Sequence, residues 1–385
     1  MDFELTQEQR MLADAAAQFA KKTSPVERLR KLRWSPHQPG DPRGWQTDVW
    51  KQMAELGWLG LLFPERVGGL GLSLFDASLV IEKLGTTLVP EPFVPSVVLA
   101  GTAVLRAGDE AQQKALLEPM IEGRTSLALA WGERASRYDA SLVRTTAKKD
   151  GASYLLDGEK SFVLNGHAAD TLVVSARTDA GLALFAVDPK TPGVSVTPLN
   201  TMDGQRAAIV RLEHARVEAS QLLGEPGDRA LAALEAALDA AAAASCAEGY
   251  GIASTVLEMT SAYLKQRKQF GVAIGVFQAL QHRAVDMFVE VELMKSTALW
   301  ACVKADSEDA EERRRAIAIG KYQLCAGGRF VTQQAIQLHG GIGITDEHDV
   351  GLYFKRMRVL EALYGDEEHH VSRFASRAGF ADSVG

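Results

Sequence analysis

The segment Ala362–His370, ALYGDEEHH, places three consecutive carboxylates and two adjacent histidines directly after a tyrosine and a glycine. Side chains of these types could bind a metal, act as an acid–base cluster, or form the charged first turn of a helix. Metal ligands must converge on one point, whereas neighbouring residues of a helix point about 100° apart. Acidic residues are favourable at a helix N-terminus. The pattern therefore predicts a helix that begins near Glu367, and no metal site.

Composition and charge narrow the classes of function. The 385-residue chain is 46% hydrophobic and 24% charged, which is typical of a globular protein with two or three domains. Its formal net charge of −7 argues against nucleic acid or a membrane surface as a partner. Cys246, Cys302 and Cys325 show no CxxC spacing, and the N-terminus lacks a signal-peptide pattern. We therefore expect a cytoplasmic protein without disulfides, structural zinc or a membrane span.

The order of the elements predicts an α+β fold with three parts. Apolar residues recur every three or four positions in stretches such as VWKQMAELGWLGLL, which predicts an N-terminal helical domain over residues 1–123. Short β-rich stretches separated by turn residues, such as TLVVSART and GLALFAVD, predict a central β-barrel or sandwich over residues 124–228. The helical spacing then returns, and we expect a C-terminal four-helix bundle over residues 229–385.

Two elements of the last part are unusual. RKQFG, residues 267–271, closes one long predicted helix, and another begins near Phe277. In IQLHGGIGIT the adjacent glycines Gly340 and Gly341 would let backbone N–H groups approach a ligand such as phosphate. Each element alone is equally consistent with an ordinary helix stop. Their combination with the helical–β–helical order is more specific.

With these elements the chain resembles the acyl-CoA dehydrogenase family over essentially its whole length. The matching stretches are FELTQEQRML, PERVGGLGL, DGEKSFVLNGHAADTLVVSART, YLKQRKQFGVAIGVFQALQHRAVDM and QLHGGIGIT. The resemblance implies an FAD-dependent enzyme that removes two hydrogens from the α and β carbons of an acyl-CoA thioester. It also implies a homotetramer or a two-plus-two heterotetramer, and an electron-transferring flavoprotein as the electron acceptor.

The resemblance also implies contacts to one end of FAD. Arg267 and Phe270 match positions that hold the pyrophosphate and adenine part from a neighbouring subunit, and the planar fork of arginine suits a pyrophosphate. The other matches at this end of the cofactor are Gln278, Gln337, Gly340 and Gly341.

The stretches that would face the flavin ring depart from the family pattern. Phe162 lies in FVLN, where the family has Trp-Ile-Thr-Asn, and it can still pack on the ring. Leu164 replaces the threonine whose hydroxyl usually touches the reactive edge. Trp131 lies in WGERASRYD, near the place of the usual Thr-Glu-Pro segment. The resemblance therefore implies Trp131 and Phe162 as cofactor contacts at a rebuilt edge of the site.

The catalytic base is missing from its commonest position. An ungapped count from Gly340–Gly341 places Tyr364 where the family usually has a glutamate. A phenol with a pKa of about 10 is a poor base at neutral pH. Asp366 lies where the family tends to contact the cofactor, and it is the alternative candidate for the base. Some family members place the base earlier in the chain, but the matching position here is Ala241.

Glu248 is the leading candidate for the base. It lies two helical turns after Ala241, on the same face, and is the only charged residue in 240–257. An apolar wall disfavours an ionised carboxylate and so makes it a stronger base near neutral pH. Gly249 and Gly251 would leave room beside it for a substrate or flavin. The small residues from Ala240 to Gly251 hint at a wide pocket for a bulky or branched acyl group. The alternative is a buried glutamate that only forms hydrogen bonds.

Two functions therefore stay open. The chain is either an active dehydrogenase whose base has moved to Glu248, or a partner subunit of a mixed tetramer in which another chain supplies catalytic groups. The departures from the family pattern that keep the second function open are Leu164, Tyr138 and Tyr364.

Overall fold

A computed structural model describes residues 5–34 and 40–376 of the chain. The contacts between residues divide this part of the chain into two compact units. Unit 1 contains residues 5–30, 74–89 and 242–376, and unit 2 contains residues 31–34, 40–73 and 90–241. The boundary between the units falls inside the longest helix, after Ala241.

Most of the described chain is helical. A π-helical segment covers Phe93–Gly101. The α-helices are α1 (Gln7–Thr23), α2 (Val26–Leu32), α3 (Thr47–Glu55), α4 (Leu74–Gly85), α5 (Thr102–Ala107), α6 (Glu110–Ile121), α7 (Asp228–Gln266), α8 (Gln278–Lys304), α9 (Ala310–His339), α10 (Val350–Ala362) and α11 (Glu367–Ala375).

The local sequence accounts for the first helix. Thr6 caps α1, since its side chain accepts a hydrogen bond from the Gln9 backbone N–H while the Gln9 side chain accepts one from Thr6. Lysines in the last turn complement the helix dipole. One face of the helix is buried, through Ala13, Ala16, Phe19 and Ala20, and α1 packs against α4 within unit 1.

The C-terminal helices pack around α9. Helices α8, α10 and α11 each contact α9, and small residues allow the close approach. A Cβ added to Gly328 of α9 would lie 2.5 Å from Met357 Sδ of α10, so a larger residue there would force the Met357 side chain to shift.

Unit 2 holds a seven-stranded sheet, counted over the described residues. Its order is β1-β4-β2-β3-β7-β6, and β5 pairs with β4; β1 is parallel to β4, whereas β2–β3, β3–β7, β4–β5 and β6–β7 are antiparallel. Apolar side chains such as Leu172, Phe185 and Val210 form its core. The strands are β1 (Leu127–Ala130), β2 (Thr146–Asp150), β3 (Ser153–Leu164), β4 (Thr171–Thr178), β5 (Gly181–Val187), β6 (Val194–Asn200) and β7 (Arg206–Glu218).

The architecture confirms the predicted α+β fold, with helices before and after a central run of strands. One local feature was not predicted. Between α7 and α8 the chain forms a small hairpin of β8 (Lys268–Gln269) and β9 (Val272–Ala273). Two-residue strands carry no periodic pattern, so the sequence showed only a helix stop at this place.

Helix α7 is the one helix of the described chain that is long and apolar enough to cross a membrane. Two-thirds of its most apolar window, 67%, is buried inside the protein. Burial of this extent is what the core helix of a globular protein shows.

Candidate active site

A cavity of about 640 Å³ lies in unit 1 where α7 ends, α8 begins and α9 ends. It brings together four of the residues that the resemblance assigns to FAD: Arg267, Gln337, Gly340 and Gly341. Tyr263, Arg283 and His339 also line it, and sequence reasoning did not single them out. Tyr263 and His339 precede assigned residues by four and one positions, which is the signal that could have indicated them.

The two glycines keep the cavity wall open. Gly340 ends α9 with a φ of 63°, a conformation that favours glycine. A Cβ added to Gly340 or Gly341 would meet no atom within 4 Å, so packing does not require glycine at these positions. Gly343 differs, because its Cβ would lie 2.6 Å from the Ile336 carbonyl oxygen. The open backbone at Gly340–Gly341 is suited to close approach by a ligand.

The charge in this cavity is positive. Arg267 is exposed, and among the described residues neither Arg267 nor Arg283 forms an ion pair with a carboxylate. Arg283 Nη1 donates a hydrogen bond to Gln334 Oε1 at 2.8 Å. Two guanidinium groups beside amide groups and open backbone suit a ligand with two phosphate charges. The cavity therefore fits the pyrophosphate end of a dinucleotide.

Phe270 and Gln278 lie outside this cavity. Phe270 and Gly271 form the two-residue turn of the β8–β9 hairpin, both with positive φ, at 55° and 82°. The Phe270 side chain is 91% exposed and forms an edge-to-face pair with Phe277, with ring centroids 6.1 Å apart. Gln278 is exposed at the first turn of α8. Neither side chain lines the cavity of its own chain.

Glu248 forms a buried ion pair with Arg356. Arg356 Nε donates to Glu248 Oε1 at 2.6 Å, and Nη2 donates to Oε2 at 3.0 Å, so the carboxylate and guanidinium meet through two bonds. The apolar surroundings expected from the sequence therefore contain an opposite charge on α10. This geometry corresponds to the alternative that the sequence left open, a buried glutamate with a hydrogen-bonding partner.

The glycines beside Glu248 do not leave room for a ligand, and that expectation was wrong. A Cβ on Gly249 would lie 2.0 Å from Leu324 Cδ1, and one on Gly251 would lie 2.1 Å from the Glu82 carbonyl oxygen. These glycines let neighbouring helices of unit 1 approach α7 closely. The packing at Gly249 and Gly251 therefore does not support a wide acyl pocket at this stretch.

Tyr364 and Asp366 occupy the turn between α10 and α11. Tyr364 has a φ of 59°, and its buried hydroxyl has no hydrogen-bonding partner among the described residues. Burial raises the pKa of the Tyr364 phenol above its ordinary value; Arg356 opposes this shift and Glu248 adds to it. Asp366 caps α11, because its carboxylate accepts a hydrogen bond from the His369 backbone N–H at 2.9 Å. Glu367 begins α11, as predicted.

Phe162 and Trp131 lie in unit 2, near irregular backbone. Phe162 has a φ of 55° where the pairing of β3 with β7 shifts register, and its side chain is 45% exposed. Asn165 fixes the end of this segment: its Oδ1 accepts from Trp45 Nε1 at 3.0 Å and its Nδ2 donates to Ser126 Oγ at 3.2 Å. Trp131 directly follows β1 and is half-buried.

Lys160 and Glu133 form a buried ion pair near Trp131 that sequence reasoning missed. Lys160 is fully buried, and its Nζ donates to Glu133 Oε1 at 2.7 Å and to Ser175 Oγ at 2.9 Å. Burial lowers the pKa of Lys160 to about 8, although Glu133 opposes the shift. Burial also acts on Glu133, but the hydrogen bond and charge of Lys160 hold its pKa below its ordinary value. The alternation of side chains along β3 was the available signal, since it points Lys160 inward.

This pair predicts a measurable pH dependence of stability. The folded-state pKa of Lys160, about 8, lies below its ordinary value of 10.5. Between these values the unfolded chain holds the proton and the folded chain does not, so the free energy of unfolding should rise with pH. We expect wild type to gain about 2 kcal/mol relative to Lys160→Met from pH 8 to 10.5, in urea unfolding at matched protein concentration. A constant difference between the two proteins over this range would contradict the prediction.

Metal ligands do not converge in the described part of the chain. Within residues 5–34 and 40–376 no group of three or more His, Cys, Asp or Glu side chains could hold a metal ion. His369 and His370 lie at the start of α11, and His370 Nε2 donates to the Tyr364 carbonyl oxygen at 3.0 Å.

Three family models match almost the whole chain. They are the acyl-CoA dehydrogenase N-terminal domain over residues 6–124, the middle domain over 128–217 and the C-terminal domain over 230–379. The chain is 30% identical over 381 residues to the probable acyl-CoA dehydrogenase YngJ of Bacillus subtilis, covering 96% of this chain and 97% of that protein.

Solved structures show the same similarity. One, described as an electron transferring flavoprotein of Acidaminococcus fermentans, has a TM-score of 0.86 at 29% identity and covers 97% of this chain and 98% of that chain. The ChsE4-ChsE5 complex from Mycobacterium tuberculosis has a TM-score of 0.86 at 26% identity, with coverage of 97% and 98%. The fold, the arrangement of the cavity and these similarities agree: the chain belongs to the acyl-CoA dehydrogenase family and is an enzyme of that class.

Proposed function

We propose that the chain catalyses FAD-dependent α,β-dehydrogenation of an acyl-CoA thioester to the 2-enoyl-CoA, in the cytoplasm, and passes the electrons to an electron-transferring flavoprotein. The observation that carries the proposal is the positively charged cavity that joins Arg267, Gln337, Gly340 and Gly341 in a chain of this family. The similarity to a structure described as an electron transferring flavoprotein supports the choice of electron acceptor.

The residues of the cavity fit the pyrophosphate end of FAD. Arg267 would hold a phosphate through its guanidinium fork, and the open backbone at Gly340–Gly341 would approach the adenosine side. From the family resemblance we also propose Trp131 and Phe162 as contacts to the flavin ring. FAD, when bound, supplies the acceptor for the hydride equivalent that leaves the β carbon. The protein must supply the group that takes the proton from the α carbon.

We propose Glu248 as this proton acceptor, with Asp366 as the alternative. The Arg356 fork holds the Glu248 carboxylate in a fixed orientation through two hydrogen bonds. Asp366 is engaged as the cap of α11, and a base at this position would have to leave the His369 N–H. This difference supports Glu248 over Asp366.

A second candidate function is that of a partner subunit in a mixed tetramer. It is favoured by one set of observations: Tyr364 stands at the usual position of the base, while Glu248 and Asp366 are both engaged in structural contacts. In this case another chain would contribute the base, and this chain would contribute FAD contacts. The similarity to the ChsE4-ChsE5 complex, which contains two different chains, is consistent with this function.

The proposed function is tested by loading the purified chain with FAD and measuring bleaching of the flavin by acyl-CoAs without oxygen. Arg267→Ala should weaken FAD binding by about 10- to 150-fold, because a charge-assisted contact contributes roughly 1.5–3 kcal/mol. Lys265→Ala is the matched control, since it removes a charge from the same helix end without lining the cavity. A protein that stays colourless with FAD would overturn the proposal. FAD binding without bleaching by straight-chain, branched or ring-bearing acyl-CoAs would favour the partner subunit.

We also propose a tetramer, either homomeric or of two plus two chains. Helix α8 exposes four large apolar side chains on one face: Val285, Phe288, Val289 and Leu293. Phe270 is even more exposed, on a turn whose backbone conformation is unfavourable for phenylalanine by about 1–3 kcal/mol. Contact with a neighbouring subunit would cover these side chains and bring Phe270 to that subunit's cofactor.

Light scattering of the FAD-loaded protein, alone and with a co-expressed partner chain, checks this assembly. We expect a tetramer, and Phe288→Glu should shift it toward smaller species, because a buried carboxylate without a partner is costly. A stable FAD-loaded monomer of the wild-type chain at micromolar concentration would contradict the proposal.

A further inference from the structure

Lys321 of α9 is fully buried in unit 1, and no mechanistic role has been assigned to it above. Its Nζ donates two hydrogen bonds of 2.8 Å, one to the Leu360 carbonyl oxygen and one to the Leu363 carbonyl oxygen. Both carbonyls lie at the C-terminal end of α10. Among the described residues no carboxylate forms an ion pair with Lys321. Backbone oxygens are therefore the observed partners of this ammonium group.

A buried ammonium group is unfavourable unless its positive charge interacts with groups that compensate for the lost hydration. Burial lowers the pKa of Lys321, and nearby Cys325, Cys246, Glu361 and Asp366 oppose the shift. A methionine would fill similar space without the loss of hydration. The positive charge instead faces carbonyl groups at the end of a helix, where the helix dipole is negative. Lys321 thus joins α9 to the last turn of α10 and to the residue just after it.

The segment held in this way is the turn that carries Tyr364. Tyr364 and Gly365 both have positive φ, at 59° and 108°. On the other side of the turn, His370 Nε2 donates to the Tyr364 carbonyl oxygen at 3.0 Å. A Cβ on Gly365 would lie 2.4 Å from the same His370 nitrogen, so the turn packs directly on the histidine ring. Lys321 and His370 therefore fix consecutive carbonyl groups of one turn.

We infer that Lys321 is a positioning residue of the dehydrogenase site, which sets the place of the Leu363–Gly365 turn where the family usually carries its base. The inference rests on the proposed function. Lys321 touches neither substrate nor cofactor in this arrangement, and it acts through the backbone of Leu363 and Tyr364. The family resemblance implies that the substrate's α carbon reacts near this turn, and small displacements of groups at a reacting centre can lower rates by up to about 100-fold.

The test compares three variants as FAD-loaded proteins in their native assembly. Lys321→Met removes both donors at similar volume, and Lys321→Gln keeps N–H donors without the charge. Tyr353→Phe is the matched control, because it removes one buried hydrogen bond of α10, from the Tyr353 hydroxyl to the Thr86 carbonyl oxygen at 2.7 Å, away from the turn. The readouts are the rate of flavin bleaching at saturating acyl-CoA, the KM, and hydrogen exchange of the peptide that contains residues 360–370.

We expect Lys321→Met to lower the bleaching rate about 10- to 100-fold with full FAD content and a KM within about threefold of wild type. Exchange should rise in the 360–370 peptide. Lys321→Gln, whose shorter side chain has no charge, should give a rate and an exchange between those of Lys321→Met and wild type, and Tyr353→Phe should change the rate less than about twofold. If Lys321→Met does not fold, a wild-type rate and wild-type exchange in a folded Lys321→Gln protein would overturn the inference. A slower rate with raised exchange in the 360–370 peptide of Lys321→Gln, beside a normal Tyr353→Phe protein, would support it.

A wild-type rate and unchanged exchange in folded Lys321→Met would overturn the inference directly. The proposed function fails in a different way, through absence of bleaching in the wild-type protein. In that case hydrogen exchange of the 360–370 peptide still decides whether Lys321 holds the turn. Exchange in folded Lys321→Met equal to that of wild type would show that Lys321 does not hold it.

Discussion

Replacing Glu248 by glutamine is expected to slow acyl-CoA-dependent flavin reduction by about 10²–10⁴-fold while FAD and acyl-CoA binding remain. Glutamine has the same shape as glutamate but cannot accept the α-proton. Its amide oxygen can still accept a hydrogen bond from Arg356, so the link between α7 and α10 is partly kept. The measurement is anaerobic bleaching of bound FAD by the best acyl-CoA of a panel, at saturating concentration.

Two further variants serve as controls for this result. Asp366→Asn should mainly weaken FAD binding and the cap of α11, and Tyr364→Phe should change the rate little. Bleaching at the wild-type rate in Glu248→Gln would remove Glu248 from the mechanism. Loss of bleaching in Asp366→Asn with FAD fully bound would transfer the role of base to Asp366.

Replacing Arg356 by methionine is expected to lower the free energy of unfolding by about 3–5 kcal/mol. The substitution keeps the volume roughly constant but leaves the Glu248 carboxylate buried without the two hydrogen bonds of 2.6 and 3.0 Å. An unpaired buried charge is the costly outcome, because its hydration is lost and nothing replaces it. Urea unfolding of the apoprotein at one fixed protein concentration measures the change.

The double variant Glu248→Gln with Arg356→Met is the control for the ion pair. With both charges removed, the double variant should be more stable than Arg356→Met alone, since a buried pair and an uncharged pair of similar volume often differ little. Strictly additive effects would show that Glu248 and Arg356 do not stabilise each other. Together with the bleaching rates, this cycle separates a structural role of Glu248 from a catalytic one.

The sequence was most informative where local pattern determines structure. The three- and four-residue spacing indicated the helices, the short β-rich stretches indicated the strands, and the acidic run after Asp366 indicated the start of α11. Local stop signals marked the helix ends at Arg267 and at Gly340–Gly341, and the family resemblance assigned both to one end of FAD. These features depend on neighbours a few residues away.

Reasoning from local pattern could not predict contacts between residues that are far apart in the sequence. Glu248 and Arg356 are 108 positions apart, and nothing in the pattern around Glu248 indicates a charge on α10. Gly249 and Gly251 illustrate the same difficulty, because glycine in a helix is equally consistent with an open pocket and with close packing against Leu324 or Glu82. Lys160 was missed because a lysine in a strand is usually directed toward solvent.

The way in which unit 1 is assembled from three stretches of chain has a consequence for synthesis on the ribosome. Unit 2 is complete once residue 241 has emerged, whereas residues 5–30 and 74–89 must wait for the residues that follow 241. The interval from residue 89 to residue 242 is 153 residues, which takes roughly 8–30 s at about 5–20 residues per second. During this interval α1 can pack on α4, but α4 still lacks α8, which it contacts in the folded protein. The nascent chain is therefore expected to need chaperones most before α7 is finished, and slowing translation over residues 90–241 should increase its aggregation.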